Sequence, residues 1–531
     1  MSYIFEQSIG KYRYVYEGTS YRDEKGKVRT TRTAIGKIDS RTGQRVYKPE
    51  YIERMRSSGT PAAIAATEKQ FTVEDIKHSE VTECGMTHLL KELAVRNGLI
   101  HAMKTTFPFV WQELFMLACF LVVTGDPFVY CEEWVKGADG FPVGSMSSQR
   151  ISELLAAIDR QSREQFFKAW CACRGEQEYL ALDITSASSY SELIDDVEWG
   201  YNRDGENLAQ INICMLMGEE SRLPVYETVF AGSIRDVSTL YTTMAEFKEI
   251  AGGKPLFAVM DKGFYSKKNV DALRSDSAKQ KFIVPVPFTA KFAKKAVESE
   301  RKDIDRITNT IIVGENSMRA VTKERAWYGT GDIHVHVYYN AKKASNSREA
   351  LYAEVAILKE EAEFEPQKCS KSKEHRKYLN IRKSASAPSG YTIKIREDAV
   401  FDSLSTSGWV VLISNETADA RKAMQIYRAK DVVEKGFLRL KRDLDLGRLR
   451  VHSDDRMLNK VFVGFISLIL LAELDKTMSD KGLYRNNMTM QQLIRRLSKL
   501  RAVYVGGSRI VYPVTKEQRQ IFDAFKISPP V

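Results

Sequence analysis

Three acidic residues, far apart in the chain, stand where apolar stretches meet polar ones. Asp183 closes the apolar run of "YLALDITS", and Asp261 closes that of "LFAVMDKGF", where Gly263 would let the chain turn away. Two buried strands that both end in Asp would bring two carboxylates to one sheet edge. Like charges gathered there repel strongly at low dielectric unless a cation is present. A hard divalent ion, Mg²⁺ or Mn²⁺, relieves that repulsion and favours carboxylate oxygens.

Glu434 is the natural third member. It lies in "YRAKDVVEKGFLRLKRDL", Tyr427 to Leu444, which contains no proline and reads as one helix. Tyr427, Lys430, Glu434 and Lys441 stand at offsets of 0, 3, 7 and 14. At roughly 100° per residue these fall within about 60° of one another. Ile426, Val433, Phe437 and Leu440 form an apolar stripe on one side, and Arg428, Lys435, Arg439 and Arg442 a basic one on the other. Docked by its apolar stripe, such a helix would carry Glu434 to the edge of the sheet. Three converging carboxylates can hold two metal ions for in-line phosphoryl transfer, with the basic flank touching phosphates.

Other candidates are weaker. Asp195, Asp196, Asp204 and Asp431 read as solvated charges. His334 and His336, in "HVHV", share one strand face but lack a third ligand at suitable spacing. Tyr427 is not flanked by the Arg and His partners that a covalent tyrosine nucleophile needs.

The elements that must position these groups follow from pattern. At 531 residues the chain exceeds one core. Its net charge of +11 favours a polyanionic partner. The uncharged runs Leu114–Gly125 and Val461–Ala472 are too short for the roughly 18 residues a bilayer requires, and read as buried core helices. The N-terminus lacks a signal-peptide layout, and no membrane partner is expected. The seven cysteines show no C-x-x-C, which fits a reducing cytoplasm without a zinc or disulfide framework.

Residues 1–60 look β-rich around the turn "DEKGK". Residues 61–175 have helical periodicity, suited to DNA-end binding or dimerisation. From 176 to 290 the order is three strands, helix, strand, helix, strand. The hairpin within it turns at "GEESRLP". Residues 291–405 read as an insertion subdomain with its own β structure, and 406–480 resume the core. A tail of helix, hairpin around "GGS" and helix fills 481–531. The fold class is α/β, a mixed sheet with helices on both faces.

This order of strand-Asp, strand-Asp, insertion and helix-Glu resembles ribonuclease H-like DDE transposases. More closely, it is similar to bacterial insertion-sequence transposases bearing the signature Tyr, two residues, Arg, three residues, Glu, six residues, Lys. Tyr427, Lys430, Glu434 and Lys441 keep every spacing, with Lys where the family has Arg. Lysine keeps the charge and loses the bidentate fork. "DKGF" matches the family's D-x-G-[FY], and "GYNRDGENLAQINICML" resembles its segment after the first Asp, with Gly-Glu-Asn replacing Arg-Pro-Asp.

The resemblance implies that Asp183, Asp261 and Glu434 are catalytic and ligate two metal ions of the Mg²⁺ or Mn²⁺ type. It implies that Tyr427, Lys430 and Lys441 contact DNA, beside Arg439 and Arg442. It further implies cleavage at transposon ends and strand transfer into target DNA by a homodimer bound to terminal inverted repeats, at the nucleoid. The alternatives are a ribonuclease H-like nuclease or resolvase, or a domesticated non-catalytic DNA-binding protein.

Overall fold

The computed structural model describes residues 2–531, except 10–11, 23–26, 39–44, 59–72, 175–177, 254–255, 276–279, 330–331, 388 and 507. The turn expected at "DEKGK" falls mainly outside the described residues, as does the Gly507 of "GGS". The expected boundaries at 60/61 and 175/176 fall outside them too. Two compact units result: Met1–Glu80 with Val503–Ile510, and Val81–Ala502 with Val511–Val531.

The first unit holds an antiparallel sheet, β1 (Ser2–Ile9), β2 (Tyr12–Arg22), β3 (Val28–Ile38) and β4 (Arg45–Tyr47), in that order. Its small core is Val15, Ile35 and Tyr51, the last from helix α1 (Pro49–Ser58).

The second unit begins with helices α2 (Gly85–Arg96), α3 (Leu99–Thr106), α4 (Trp111–Thr124), α5 (Ser148–Ala157) and α6 (Arg160–Arg174). The core strands and helices follow: β5 (Tyr179–Ser188), β6 (Gln210–Gly218), β7 (Pro224–Ala231), α7 (Asp236–Ile250), β8 (Phe257–Met260), α8 (Lys267–Ser275) and β9 (Lys281–Pro285). Strands β5, β6 and β7 form an antiparallel meander, while β5, β8 and β9 are parallel neighbours. The resulting order β7-β6-β5-β8-β9 is the ribonuclease H-like arrangement.

Strands β10 (Thr310–Val313), β11 (Asn316–Ala326), β12 (Asp332–Tyr339) and β15 (Trp409–Ser414) continue the same sheet, β15 pairing with both β9 and β12. Most of the insertion's β structure therefore extends the core sheet, because β15 offers β12 an open edge. The insertion also holds helix α9 (Lys291–Glu300), packed into the large core, and helix α10 (Ala341–Phe364) with the hairpin of β13 (Leu379–Lys383) and β14 (Tyr391–Ile395) and three short helices, around a separate apolar cluster.

Period-two alternation explains why the sheet is covered on both faces. Ala258, Met260, Phe282, Val284, Val411 and Ile413 join one large cluster. Val259, Ile283 and Leu412, one residue out of phase, join a second. The large cluster also takes in α2–α6 and the tail helices α14 (Met490–Leu497) and α15 (Lys516–Phe525), so these segments share one core with the sheet.

The run Val461–Ala472 belongs to a longer helix, α13 (Asp454–Asp480), of 27 residues. By length and composition it could cross a membrane, yet 89% of its apolar window is buried inside the protein. Phe462 packs edge-on against Phe107 and Phe166, which anchors the helical segment to it.

Candidate active site

Asp183 lies in the middle of β5, not at its end, since the strand runs on to Ser188. The sequence reading placed the strand end at the first polar residue, but Thr185, Ser186 and Ser188 are themselves buried and keep pairing with β6. Asp261 does end its strand and begins a single 3₁₀ turn, Lys262–Phe264. Gly263 serves that turn differently from the expectation. It is absent from the positive-φ glycines, and a Cβ there would approach Asp236 Oδ2 at 2.9 Å. Its value is room for a neighbouring carboxylate.

Register brings the two aspartates together. Ala181 pairs with Val259 on adjacent parallel strands, and each aspartate lies two residues further along. Both therefore point to the same face, on strands about 4.8 Å apart.

The stretch Tyr427–Leu444 is two helices, not one. Helix α11 (Ala420–Ala429) ends and α12 (Asp431–Arg442) begins at Lys430. The two halves dock on different parts of the sheet. Ile426 belongs to the cluster of Val259 and Ile283, whereas Val433, Phe437 and Leu440 belong to the large cluster. A single straight helix would not serve both, so the offsets of one continuous stripe do not carry across position 430.

The break puts Lys430 at the centre of the acids. Its side chain is buried, with Nζ 2.5 Å from Glu434 Oε1 and 3.8 Å from Asp261 Oδ1. Burial works to lower its pKa, but the hydrogen bond to Glu434 and the charges of Asp183 and Asp261 hold it above the ordinary lysine value. Asp183 is pushed up to about 6, first by burial. The nearby charge of Asp261 adds to the rise, while the N–H of Ile184, donating at 2.8 Å, and Lys430 oppose it. Tyr427 is pushed up to about 12 by burial and then by Asp261. Among the described residues, no three His, Cys, Asp or Glu side chains stand close enough together to share a metal ion. Glu434 is the exposed member of the trio and turns toward Lys430.

The basic flank is less free than its sequence suggested. Arg428 donates to the Val313 carbonyl at 2.7 Å. Arg439 is paired with Asp475 at 2.5 Å, and Arg442 with its neighbour Asp443. Lys435 is paired with Asp431, which is exposed as expected.

Lys441 bonds both carboxylate oxygens of Asp204, at 2.8 and 2.6 Å. Asp204 is thus a partner of the signature, not a free solvated charge. The preceding residue, Arg203, pairs with Asp236 and donates to Asn212, while its backbone N–H bonds Ser186 Oγ. Glu206 accepts from Arg448 and Ser188. The loop carrying these groups starts at Gly200, where a Cβ would lie 1.9 Å from the Gly232 carbonyl. Asp236 and Arg448 were missed because nothing in their local sequence marks them. The "GYNRD" segment was the available signal for Arg203 and Asp204.

His334 and His336 do not form a metal site. His336 is fully buried, bonded to Thr322 at 2.7 Å, and pushed down to about 4 by burial. Asp195 donates its N–H to Asp454, and half-buried Asp196 is raised by burial and by Asp454. None of the seven cysteines is in a disulfide.

A family model described as "Transposase DDE domain" matches residues 163–470, more than half of the chain. No curated protein matches. Among solved structures, the chain is similar to one titled "Cryo-EM structure of piggyBac transposase synaptic complex with hairpin DNA (SNHP)". The identity is 11% and the TM-score 0.37, over 81% of this chain and 77% of that one.

Proposed function

This chain belongs to the transposase DDE domain family, and we propose that it is an insertion-sequence transposase that cuts DNA at transposon ends and joins them to target DNA. The observation that carries the reading is the convergence of Asp183, Asp261 and Glu434 on one cation, Lys430.

The chemistry of the donors suits a hard divalent ion, although Glu434, turned to Lys430, would have to swing towards the aspartates to share it. Three carboxylates supply only oxygen ligands, and in Asp183, raised to about 6 by burial, the Ile184 N–H and then the Lys430 charge favour the ionised form. Asp183, Asp261 and Glu434 would hold Mg²⁺ or Mn²⁺. Such ions would supply Lewis-acid chemistry, lowering the pKa of a water or 3′-hydroxyl and offsetting charge on the leaving oxygen.

The chain's own residues orient the DNA. Lys430 places a single cation beside the acids, able to draw a phosphate towards them. Tyr427, kept protonated by burial, offers a hydroxyl donor. Lys441, fixed by Asp204, reaches the strand about two helical turns, roughly 10 Å, beyond Glu434. Arg439 and Arg442 flank Lys441 on the same helix. A homodimer in the cytoplasm, one subunit per terminal repeat, is the working assembly. In this reading the functional divisions of the chain fall at 60, 175, 290, 405 and 480.

The test is cleavage of DNA carrying the element's own ends, with Mg²⁺ present. Glu434→Gln should abolish cleavage while end binding persists. Cleavage retained in that variant overturns the assignment of Glu434. Wild-type cleavage without joining to target DNA would make the protein a nuclease instead.

A further inference from the structure

One strongly basic segment of this protein lies outside the active site. Residues 368–396 contain nine Lys or Arg against one acid, Glu374, a net +8 in a chain whose total is +11. All nine are exposed. Among the described residues, Lys368 is the one of the nine ion-paired with a carboxylate, Glu365 at 2.8 Å.

Two of the nine, Arg382 and Lys394, stand on the outward face of the β13–β14 hairpin, and the other seven border it in sequence. In the hairpin, Leu379 pairs with Ile395 and Ile381 with Ile393. Leu379, Ile381 and Ile393 pack on Leu351, Val355 and Leu358 of α10. Alternation then turns Asn380, Arg382, Thr392 and Lys394 to the opposite face, where all four are exposed. Arg382 is steadied by Asn380 Oδ1 at 3.1 Å, and Arg396 by the carbonyl of Arg376 at 2.9 Å. Arg382 and Lys394 are diagonal neighbours across the two strands, roughly 7–8 Å apart at the backbone, within reach of one another's phosphate partners for long side chains.

The flank of this surface is of opposite sign. The C-terminal end of α10 exposes Glu360, Glu361, Glu363 and Glu365 around Ala362. A polyanion would be repelled there and admitted only at the hairpin. We propose that the outward face of the β13–β14 hairpin is a DNA-backbone clamp, contacting phosphates without reading sequence. This rests on the reading that the substrate is DNA, and it assigns the insertion a task that the catalytic acids do not perform.

The test uses the full chain and two duplexes of equal length, one carrying an element end and one unrelated. Affinities are measured from 50 to 200 mM salt for wild type and for the double variant Arg382→Ala, Lys394→Ala. Both positions are exposed, and the circular dichroism and melting curve of the variant check that it folds. A second variant, Arg382→Lys, keeps the charge and should bind as wild type. The double variant should weaken both duplexes alike, and its plot of log affinity against log salt should be shallower by about 2, near 0.9 per lost phosphate contact. An unchanged slope with folded protein overturns the clamp. So does loss of self-association with DNA binding intact, which would make the face a protein contact. A wild type that binds neither duplex fails the transposase reading itself.

Discussion

The Lys430 ammonium and the Glu434 carboxylate meet at 2.5 Å across the join of two helices, with Asp261 3.8 Å away on the other side. A lysine thus occupies the charge-neutralising position that a divalent ion would share. Lys430→Gln should leave the acids with less compensation and cost roughly 1–2 kcal/mol, a figure reduced because Glu434 is half exposed. Mg²⁺ should then raise the melting temperature of the variant more than that of wild type. Equal shifts would show that Lys430 and the ion do not compete for the same charge.

The pairing of Lys441 with Asp204 lends itself to a double-mutant cycle. At this partly exposed site the coupling in stability should stay below about 1 kcal/mol. In cleavage, Lys441→Ala should be severe alone and much milder in the Asp204→Ala background. Strictly additive effects on cleavage would mean that Asp204 does not position Lys441.

Gly200 has no room for a side chain, because the Gly232 carbonyl oxygen would be 1.9 Å from its Cβ. Gly200→Ala should destabilise the protein by about 1–3 kcal/mol and displace the loop bearing Arg203 and Asp204. Gly144, with nothing within 4 Å and no positive φ, is the control. Indistinguishable melting of the two alanine variants would refute the close approach.

Glu227 is buried on β7 and pushed up from 4.5 to about 7, chiefly by desolvation. A folded pKa above the unfolded one means that the native state binds the extra proton. Stability from this group is complete below pH 4.5 and is lost as pH rises through about 7. Glu227→Gln removes that dependence and should gain on wild type between those values, by on the order of 3 kcal/mol at pH 8. Melting curves across pH 4–8 measure it; parallel curves for the two proteins would contradict the burial penalty.

The sequence carried the fold class through residues such as Val259 and Ile283, whose alternation with Ala258 and Phe282 marks strands covered on both faces. The strand and helix order around Asp183 and Asp261 was legible for the same reason, since periodicity is a local property. The end of β5 was not, because a buried serine or threonine in a paired strand looks like a turn residue until its partner strand is known.

What the sequence determined by itself is the set of residue types and their spacing: two aspartates after apolar runs, and the Tyr427, Lys430, Glu434, Lys441 signature. What only the tertiary structure decided is how these groups meet. The register of β5 on β8 aligns the aspartates, and the break at Lys430 inserts an ammonium among the acids. Asp204, more than two hundred residues away in sequence, becomes the partner of Lys441. These relations depend on strand pairing and on two apolar clusters pulling one stretch of chain in two directions, and contacts between distant segments leave no periodic trace in either.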